Sequence, residues 1–350
     1  MTGRIDVRTL VLLGVGVLAV SLAAPLMASL VVPALAIAFW RNALAAAAIA
    51  PVVLWSEKGR SGSAPSGGQM SRVGPAEPSS VPPGTFARLG ARRQRRRRRL
   101  QRRQQRRQPQ PQTQPRHRQL LLVLLAGACL AAHFGFWITS LTMTSVASST
   151  AIVSLQIIWV VGYDLARGAE LRSQVIVGLA VAVVGAVVVS GVDFSISTRA
   201  LAGDGLALLG SIGIAAYAVI GGRVRQTMTT STYTLGCYST AALLLLVATL
   251  LSGQALTGYD ARQWVLLALL AVTAQLLGHS VFNHLLATVS PMVVSLAILL
   301  EVPGAALIAA VWLGQVPGVT AFAGLALILA GMAAVILASP PSGDTEVAAA

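Results

Sequence analysis

Two charged residues stand inside long apolar stretches of the sequence: Arg41 in "AIAFWRNALAAAAIAPVVL" and Glu301 in "AILLEVPG". An ionised side chain at the centre of a bilayer costs about 2.5–3.5 kcal/mol on insertion scales, so both should face a bundle interior or a wet cavity. As functional groups they would belong to a pathway through the membrane, with Glu301 able to take up a proton. As structural groups they would lock helices together. We favour function for Glu301 and leave Arg41 open between the two.

Uncharged polar and aromatic residues recur at helical spacing in the same kind of stretch. Gln275, His279 and Asn283 repeat every four residues and so share one face of a helix, as do His133 and Trp137. A histidine titrates near neutral pH and could bind a ligand or relay protons, although a buried membrane histidine more commonly bonds a neighbouring helix. Our further site candidates are Trp40, His133, Trp137, Gln156, Tyr217, Gln275, His279 and Asn283.

The elements that must position these residues are apolar, although the chain carries a net charge of +15. Residues 56–118 contain 17 of the 26 basic residues and only two of the 11 acidic ones, and "ARRQRRRRRLQRRQQRRQ" alone contains 11 arginines. The remaining sequence is therefore neutral, with nine bases and nine acids. It lacks the dense surface charge of a soluble domain. The two cysteines lie in apolar runs and indicate no disulfide or metal framework.

Ten transmembrane helices account for the uncharged runs. The stretch from Gln119 to Tyr163 has 45 residues without a charge, and about 20 are needed for one crossing. Turn residues and charges divide the runs into ten predicted spans. These spans are residues 9–29, 32–55, 119–140, 146–165, 173–192, 204–222, 230–252, 262–285, 291–313 and 317–338.

Lysine and arginine set the predicted direction of the chain, because they stay on the cytoplasmic side. With the N-terminus inside, the segments outside the membrane carry only Arg199 and Arg262. The cytoplasmic segments then carry Arg4, Arg8, Arg167, Arg172, Arg223, Arg225 and the basic stretch. Both termini are predicted to be cytoplasmic, in a multi-pass protein of the plasma membrane.

The sequence also indicates an internal duplication. "SVASSTAIVSLQIIW" from Ser145 aligns with "SPMVVSLAILLEVPG" from Ser290 at an offset of 145, which pairs Gln156 with Glu301. At an offset of 146, Gly178 and Gly185 pair with Gly324 and Gly331. Five spans per copy is an odd number, so the second copy must be inverted relative to the first. Many secondary carriers use such inverted repeats to build a site that faces either side of the membrane.

The chain resembles the EamA-type proteins of the drug/metabolite transporter superfamily over nearly its whole length apart from the basic segment. The resemblance rests on four stretches: "AIAFWRNALAAAAIAPVVL", "HFGFWITSLTMTSVASSTAIVSLQ", "QLLGHSVFNHLLATVSPMVVSLAILLE" and "GLALILAGMAAVIL". It implies an all-α bundle of ten helices around a central cavity and the transport of small molecules, mostly export of amino acids, related metabolites or toxic compounds. The family often has a proline directly after the polar residue of each fourth helix. Here that proline is displaced to Pro303 and is absent after Gln156, which argues against a kink in the first copy.

Catalysis and cofactors are not expected. His279 and Asn283 fit the His-x-x-x-Asn of intramembrane serine proteases, but the one Gly-x-Ser-Gly that could carry a nucleophile, at residues 59–62, stands in the basic segment and not in an apolar span. No His-Glu-x-x-His and no phosphate-binding glycine loop with a lysine is present. Transport would therefore be secondary. The competing interpretation is a membrane scaffold whose polar residues only pack helices.

Residues 56–118 are rich in Gly, Ser, Pro, Gln and Arg, a composition typical of disorder. The segment could lie against anionic lipid headgroups, or be a low-complexity expansion that reinforces topology. Nucleic-acid binding is disfavoured, because no base-reading element accompanies the charge. The predicted organisation is thus a first repeat in residues 1–55 and 119–192 with this cytoplasmic insertion at 56–118, an extracytoplasmic linker at 193–203, a second repeat at 204–338 and a cytoplasmic tail at 339–350.

Overall fold

The computed structural model describes residues 6–62, 116–191, 197–316 and 318–338. In these ranges the chain forms ten helices and no β-strand. Their bounds are α1 Val7–Ala28, α2 Ala34–Gly62, α3 Arg116–Ser140, α4 Val146–Ala166, α5 Ser173–Gly191, α6 Thr198–Val224, α7 Thr230–Leu251, α8 Ala261–Leu285, α9 Pro291–Leu313 and α10 Val319–Ala338. Eight are long and apolar enough to cross a membrane, and the apolar parts of α5 and α10 are somewhat shorter. The prediction of an all-α, multi-pass membrane protein is confirmed.

Polar residues at the turns begin the helices. Ser145 caps α4 by accepting a hydrogen bond from the amide of Ser148, and Ser290 caps α9 by accepting one from the amide of Val293. Asp260 caps α8 in the same way. The first amides of a helix lack partners within it, and these side chains supply acceptors at the spans' ends.

The helix backbone extends about two turns beyond two of the predicted membrane spans, although the apolar part of α2, Ala34–Ser56, agrees with the span predicted at 32–55. The structure continues α2 to Gly62, beyond the predicted end at residue 55, and begins α6 at Thr198 rather than at 204. Hydropathy marks where a helix leaves the apolar phase and not where its backbone ends, so polar turns such as Ser56–Gly62 were counted as insertion or linker. The segment predicted to be disordered also ends earlier than expected, because residues 116–118 are already helical in α3. The disorder predicted for residues 63–115 lies outside the described residues, as does the predicted tail at 339–350.

Three helices are interrupted near their middles, and a fourth contains a π-helical segment. The break in α1 is at Leu22, that in α4 at Leu155, and that in α9 at Leu299 and Leu300. In α9, Pro303 has no amide hydrogen to give to Leu299, whose carbonyl accepts from Val302 instead. In α8, residues Ala271–His279 are π-helical.

The break in α4 corrects the expectation of a straight helix there. No proline follows Gln156, yet the amide of Ile158 bonds the carbonyl of Leu155 three residues earlier. Such a local change from i→i+4 to i→i+3 bonding interrupts a helix without proline. Leu155 and Leu300 are 145 positions apart, so both repeats are broken at the same place.

Glycines of α5 and α10 reveal the symmetry of the fold. Gly178 lies against Gly331, and Gly185 against Gly324; a Cβ at Gly185 would lie 2.6 Å from the Gly324 carbonyl oxygen. The two helices are therefore antiparallel. In the duplication, residue 178 corresponds to residue 324, and residue 185 corresponds to residue 331. The contact of Gly178 with Gly331 therefore has its equivalent in the contact of Gly324 with Gly185. This is the property of a twofold axis perpendicular to the helices, and it confirms the inverted repeats.

The described residues up to Leu54 and from Arg116 onward form one compact unit, called the first unit below. The first unit contains all of the polar residues singled out from the sequence. Within it, the largest set of buried apolar side chains lies among α1, α2, α3, α6, α7 and α8. A second set joins α4, α5, α9 and α10. The sites described next lie in the first unit.

Candidate functional site

A small cavity of about 20 Å³ lies among the helices of the first unit. Its lining comes from α1, α3, α4, α6, α8 and α9. The lining residues are Val20, His133, Trp137, Val153, Ser154, Gln156, Ile214, His279, Phe282, Ile298 and Glu301.

The lining residues are largely related by the duplication. Gln156 and Glu301 are 145 positions apart, as are Val153 and Ile298, and His133 and His279 are 146 apart. Equivalent residues of two inverted repeats can line one cavity only where the internal twofold axis passes. The cavity therefore lies on the axis that relates the repeats.

Gln156 and Glu301 occupy the breaks in α4 and α9, where each is the first residue of the second half-helix. Both side chains are buried, at 2% and 6% exposure, and the Oε1 atom of each has no hydrogen-bond partner in the described structure. Leaving a buried acceptor unpaired costs about 1–3 kcal/mol, and more for a charged group. Two such acceptors in one cavity can receive hydrogen bonds from a ligand or a water.

The two histidines adjoin each other in the cavity, with ring centroids 6.3 Å apart. His133 Nδ1 lies 3.0 Å from the carbonyl oxygen of Gly210. A carbonyl only accepts, so Nδ1 carries the hydrogen and a neutral His133 keeps Nε2 as an acceptor. Trp137 stacks on His133 at 5.4 Å, and its buried indole Nε1 has no partner. The cavity thus combines acceptors with donors, among them the Trp137 indole and the Ser154 hydroxyl, which also has no partner.

Arg41 belongs to a neighbouring cluster and not to the cavity lining. Its guanidinium is fully buried, with the carbon Cζ 3.9 Å from the ring centre of Phe134. Nε donates to Gln275 Oε1 at 2.9 Å, and Gln275 Nε2 donates to Asn42 Oδ1 at 3.0 Å. Nη2 has no hydrogen-bond partner. The opposite edge of this cluster reaches the cavity, since the Phe134 ring lies 5.3 Å from that of His279.

Replacing Gln275 with leucine is expected to destabilise the protein by about 1.5–3 kcal/mol, because a buried guanidinium loses a hydrogen-bond acceptor. The measurement is the free energy of unfolding in mixed micelles. Gln174 is exposed near the start of α5, so Gln174→Leu should change stability little. Equal effects of the two substitutions would show that the Arg41–Gln275 bond contributes nothing.

The polar face predicted for α8 is divided among three sites. Gln275 bonds Arg41, and only His279 lines the central cavity. Asn283 donates from Nδ2 to the hydroxyl oxygen of Tyr217 at 2.6 Å, which places Tyr217 in a third cluster toward the end of α8. Residues on one face of a helix contact different neighbours as the helix crosses the bundle.

Trp40 lies away from these clusters. Its indole Nε1 donates to the carbonyl of Leu256 at 2.8 Å, and its ring meets that of Trp264 edge-on at 4.9 Å.

The ten candidate residues from the sequence therefore separate into two groups of five. Five line the cavity, and five lie outside it; the cavity residues are His133, Trp137, Gln156, His279 and Glu301. Sequence reasoning missed Ser154, Phe134 and Arg225. Phe134 is apolar and gave no chemical signal in the sequence, and Arg225 was considered only for the orientation of the chain.

The cavity's volume limits what this conformation can hold. About 10–15 Å³ of space accommodates one water molecule, so 20 Å³ is too little for a metabolite. A larger ligand could enter only if the helices that line the cavity moved apart.

Comparison with known proteins agrees with this architecture. Residues 201–337, which include α7 to α9 and most of α6 and α10, match the sequence model of the EamA-like transporter family. No curated protein matches the chain. A solved structure described as "Crystal structure of protein" is 15% identical, covers 94% of this chain and 96% of its own, and superposes with a TM-score of 0.63. At that identity the likeness concerns the fold alone, and the fold extends over both repeats. The second repeat of this multi-pass membrane protein is therefore similar in sequence to the EamA-like transporter family.

Proposed function

We propose that the protein is a secondary active transporter of small metabolites that works by alternating access of its two inverted repeats. The cavity on the internal twofold axis is the single observation that carries this proposal. A site lined by equivalent residues of both repeats stays in place when the repeats rock against each other, while its exit changes sides. Gln156 and Glu301, at the two helix breaks, are the proposed ligand contacts.

The proposed coupling uses the one difference between these positions. Glutamine cannot ionise, whereas Glu301 can exchange a proton, so the first repeat offers a fixed acceptor and the second a titratable one. His133 and His279 face the same cavity, and Arg41 lies beyond Phe134. The cargo we propose is an amino acid, a related metabolite or a toxic compound, moved outward.

We further propose that the protein lies in the plasma membrane with both termini cytoplasmic. The bias of arginines toward one set of connections supports this orientation. Tags at the two ends should both be accessible to membrane-impermeant reagents only after the cell membrane is opened. Tags accessible on different faces would contradict an even number of spans and the inverted repeats with it.

A test for ligand binding separates transport from the scaffold alternative. A transporter should show a melting temperature raised by its cargo, since a ligand that binds only the folded state stabilises it by mass action. We expect at least one class within a screen of amino acids, amines and amphipathic toxins to do so, and to cross liposome membranes containing the protein. If the folded protein responds to no compound in the screen, the result favours the scaffold alternative.

A further inference from the structure

An open groove of about 500 Å³ lies between α2, α7 and α8, at the end where α7 begins. One part of its lining is apolar and consists of Ala48, Ile49, Val52 and Leu276. The other part carries hydroxyls and consists of Thr230, Ser231, Thr234 and Ser280. Thr234 and Ser280 bond carbonyls of their own helices, whereas Thr230 and Ser231 stand at the N-terminus of α7, where a surface that only faced hydrocarbon would gain nothing from hydroxyl groups.

The duplication provides a counterpart for comparison. A second groove, of about 490 Å³, is formed mainly by α3 and α7, with Leu35 of α2 and Leu206 of α6. The internal twofold exchanges α2 with α7 and α3 with α8, so the two grooves are equivalent positions. The counterpart is lined by Ala, Leu, Gly and Phe, and Thr139 is its one hydroxyl. The hydroxyls of the first groove are therefore not a consequence of the repeated architecture.

Basic side chains adjoin the hydroxyl-lined groove. Arg225 is buried, and its Nη2 donates to Thr230 Oγ1 at 2.7 Å while its Nε donates to the Asn283 carbonyl at 2.8 Å. His284 Nδ1 lies 3.3 Å from the same Thr230 hydroxyl oxygen. Thr230 thus links two basic residues to the groove. In the first repeat, the corresponding corner lies between α1 and α2. Its residues, 29–33, include no charged residue.

The charge of Arg225 has no anionic partner among its hydrogen bonds. Its third bond goes to the carbonyl of Met228, so all three acceptors are neutral. Three of the five guanidinium N–H groups are used, which leaves two for another acceptor. Burial lowers the pKa of Arg225, so an anion nearby would stabilise its charged form. The N-terminus of α7, capped by Thr229, adds the positive end of a helix dipole at the same place.

We propose that this groove binds an anionic phospholipid, with the phosphate beside Thr230, Arg225 and His284 and an acyl chain along Ile49, Val52 and Leu276. A lipid satisfies both parts of the lining, whereas free phosphate would leave the apolar wall uncovered. Thr230 is the first residue of its span, which is the level at which headgroups lie. In the proposed orientation this end faces the cytoplasmic leaflet, where anionic lipids are concentrated. This site is distinct from the transport cavity.

The test uses the purified full-length protein in micelles with equal amounts of phosphatidylglycerol and phosphatidylcholine of the same acyl chains, followed by native mass spectrometry. We expect selective retention of one phosphatidylglycerol, reduced about tenfold by Thr230→Val and at least as much by Arg225→Gln. Thr139→Val, in the counterpart groove, is the matched control and should leave retention unchanged. If Arg225→Gln fails to fold, Thr230→Val decides alone.

Three outcomes would overturn the proposal. The first is equal retention of the two lipids by the unaltered protein. The second is selective retention that survives the Thr230 substitution, which would place the lipid elsewhere. The third is an equal rise in melting temperature with millimolar inorganic phosphate and with phosphatidylglycerol, which would identify a site for free anions.

Discussion

Exchanging Glu301 for glutamine is expected to lower substrate flux in proteoliposomes roughly 10- to 100-fold while leaving the fold intact. The substitution keeps the shape of the side chain and removes the titratable carboxyl group of the cavity, whose Oε1 has no hydrogen-bond partner. A hydrogen bond to a charged group contributes about 1.5–3 kcal/mol, which corresponds to that range of affinity. The measurement is the initial flux of the cargo found in the binding screen, with and without an imposed pH gradient.

The duplication supplies controls for this experiment. Glu170→Gln removes a carboxylate from the exposed connection between α4 and α5 and should not affect flux. The double variant Gln156→Glu/Glu301→Gln moves the carboxylate to the equivalent position across the same cavity, so we expect it to recover part of the lost flux. Unchanged flux and unchanged pH dependence in Glu301→Gln would remove this residue from the transport pathway.

Gly331→Leu is expected to destabilise the protein by about 1–3 kcal/mol, the usual cost of overpacking a tight contact. A Cβ at this position would lie 2.5 Å from the backbone nitrogen of Ala182 and 2.5 Å from the carbonyl oxygen of Gly178. Backbone atoms cannot move aside as the end of a side chain can, so α5 and α10 must separate. The free energy of unfolding in mixed micelles measures this effect.

The same change at an open glycine is the control. Gly14 in α1 has no atom within 4 Å of where its Cβ would lie, so Gly14→Leu should be neutral or slightly stabilising in its helix. If the two leucine variants melted alike, the close approach of α5 to α10 would not contribute to stability.

The helical spans and their number could be predicted well from the sequence. Every predicted span overlaps one helix, and the bounds predicted for α9, residues 291–313, agree with the structure. The uncharged runs contain this information directly, because a helix is the one way a single segment satisfies its backbone in lipid. The polar ends carry no such constraint, which explains the displaced end of α2 and start of α6.

The site was predicted in part. The pairing of Gln156 with Glu301 followed from an offset of 145 and leads to the two half-helix ends in the cavity. Arg41 stood out by its charge, but only the structure shows Phe134 between it and His279. The face shared by Gln275, His279 and Asn283 gave no indication that these residues contact three different neighbours.

The sequence by itself determined the number of spans, the duplication and the residues whose burial in lipid would be costly, because each depends on local composition or on spacing along the chain. The tertiary structure alone decided which of these residues meet and how little room the cavity between them has. Contacts such as Gly185 with Gly324, or Arg225 with Asn283, depend on how helices distant in sequence cross and pack. That packing is fixed by the whole bundle, and no short stretch of sequence contains it.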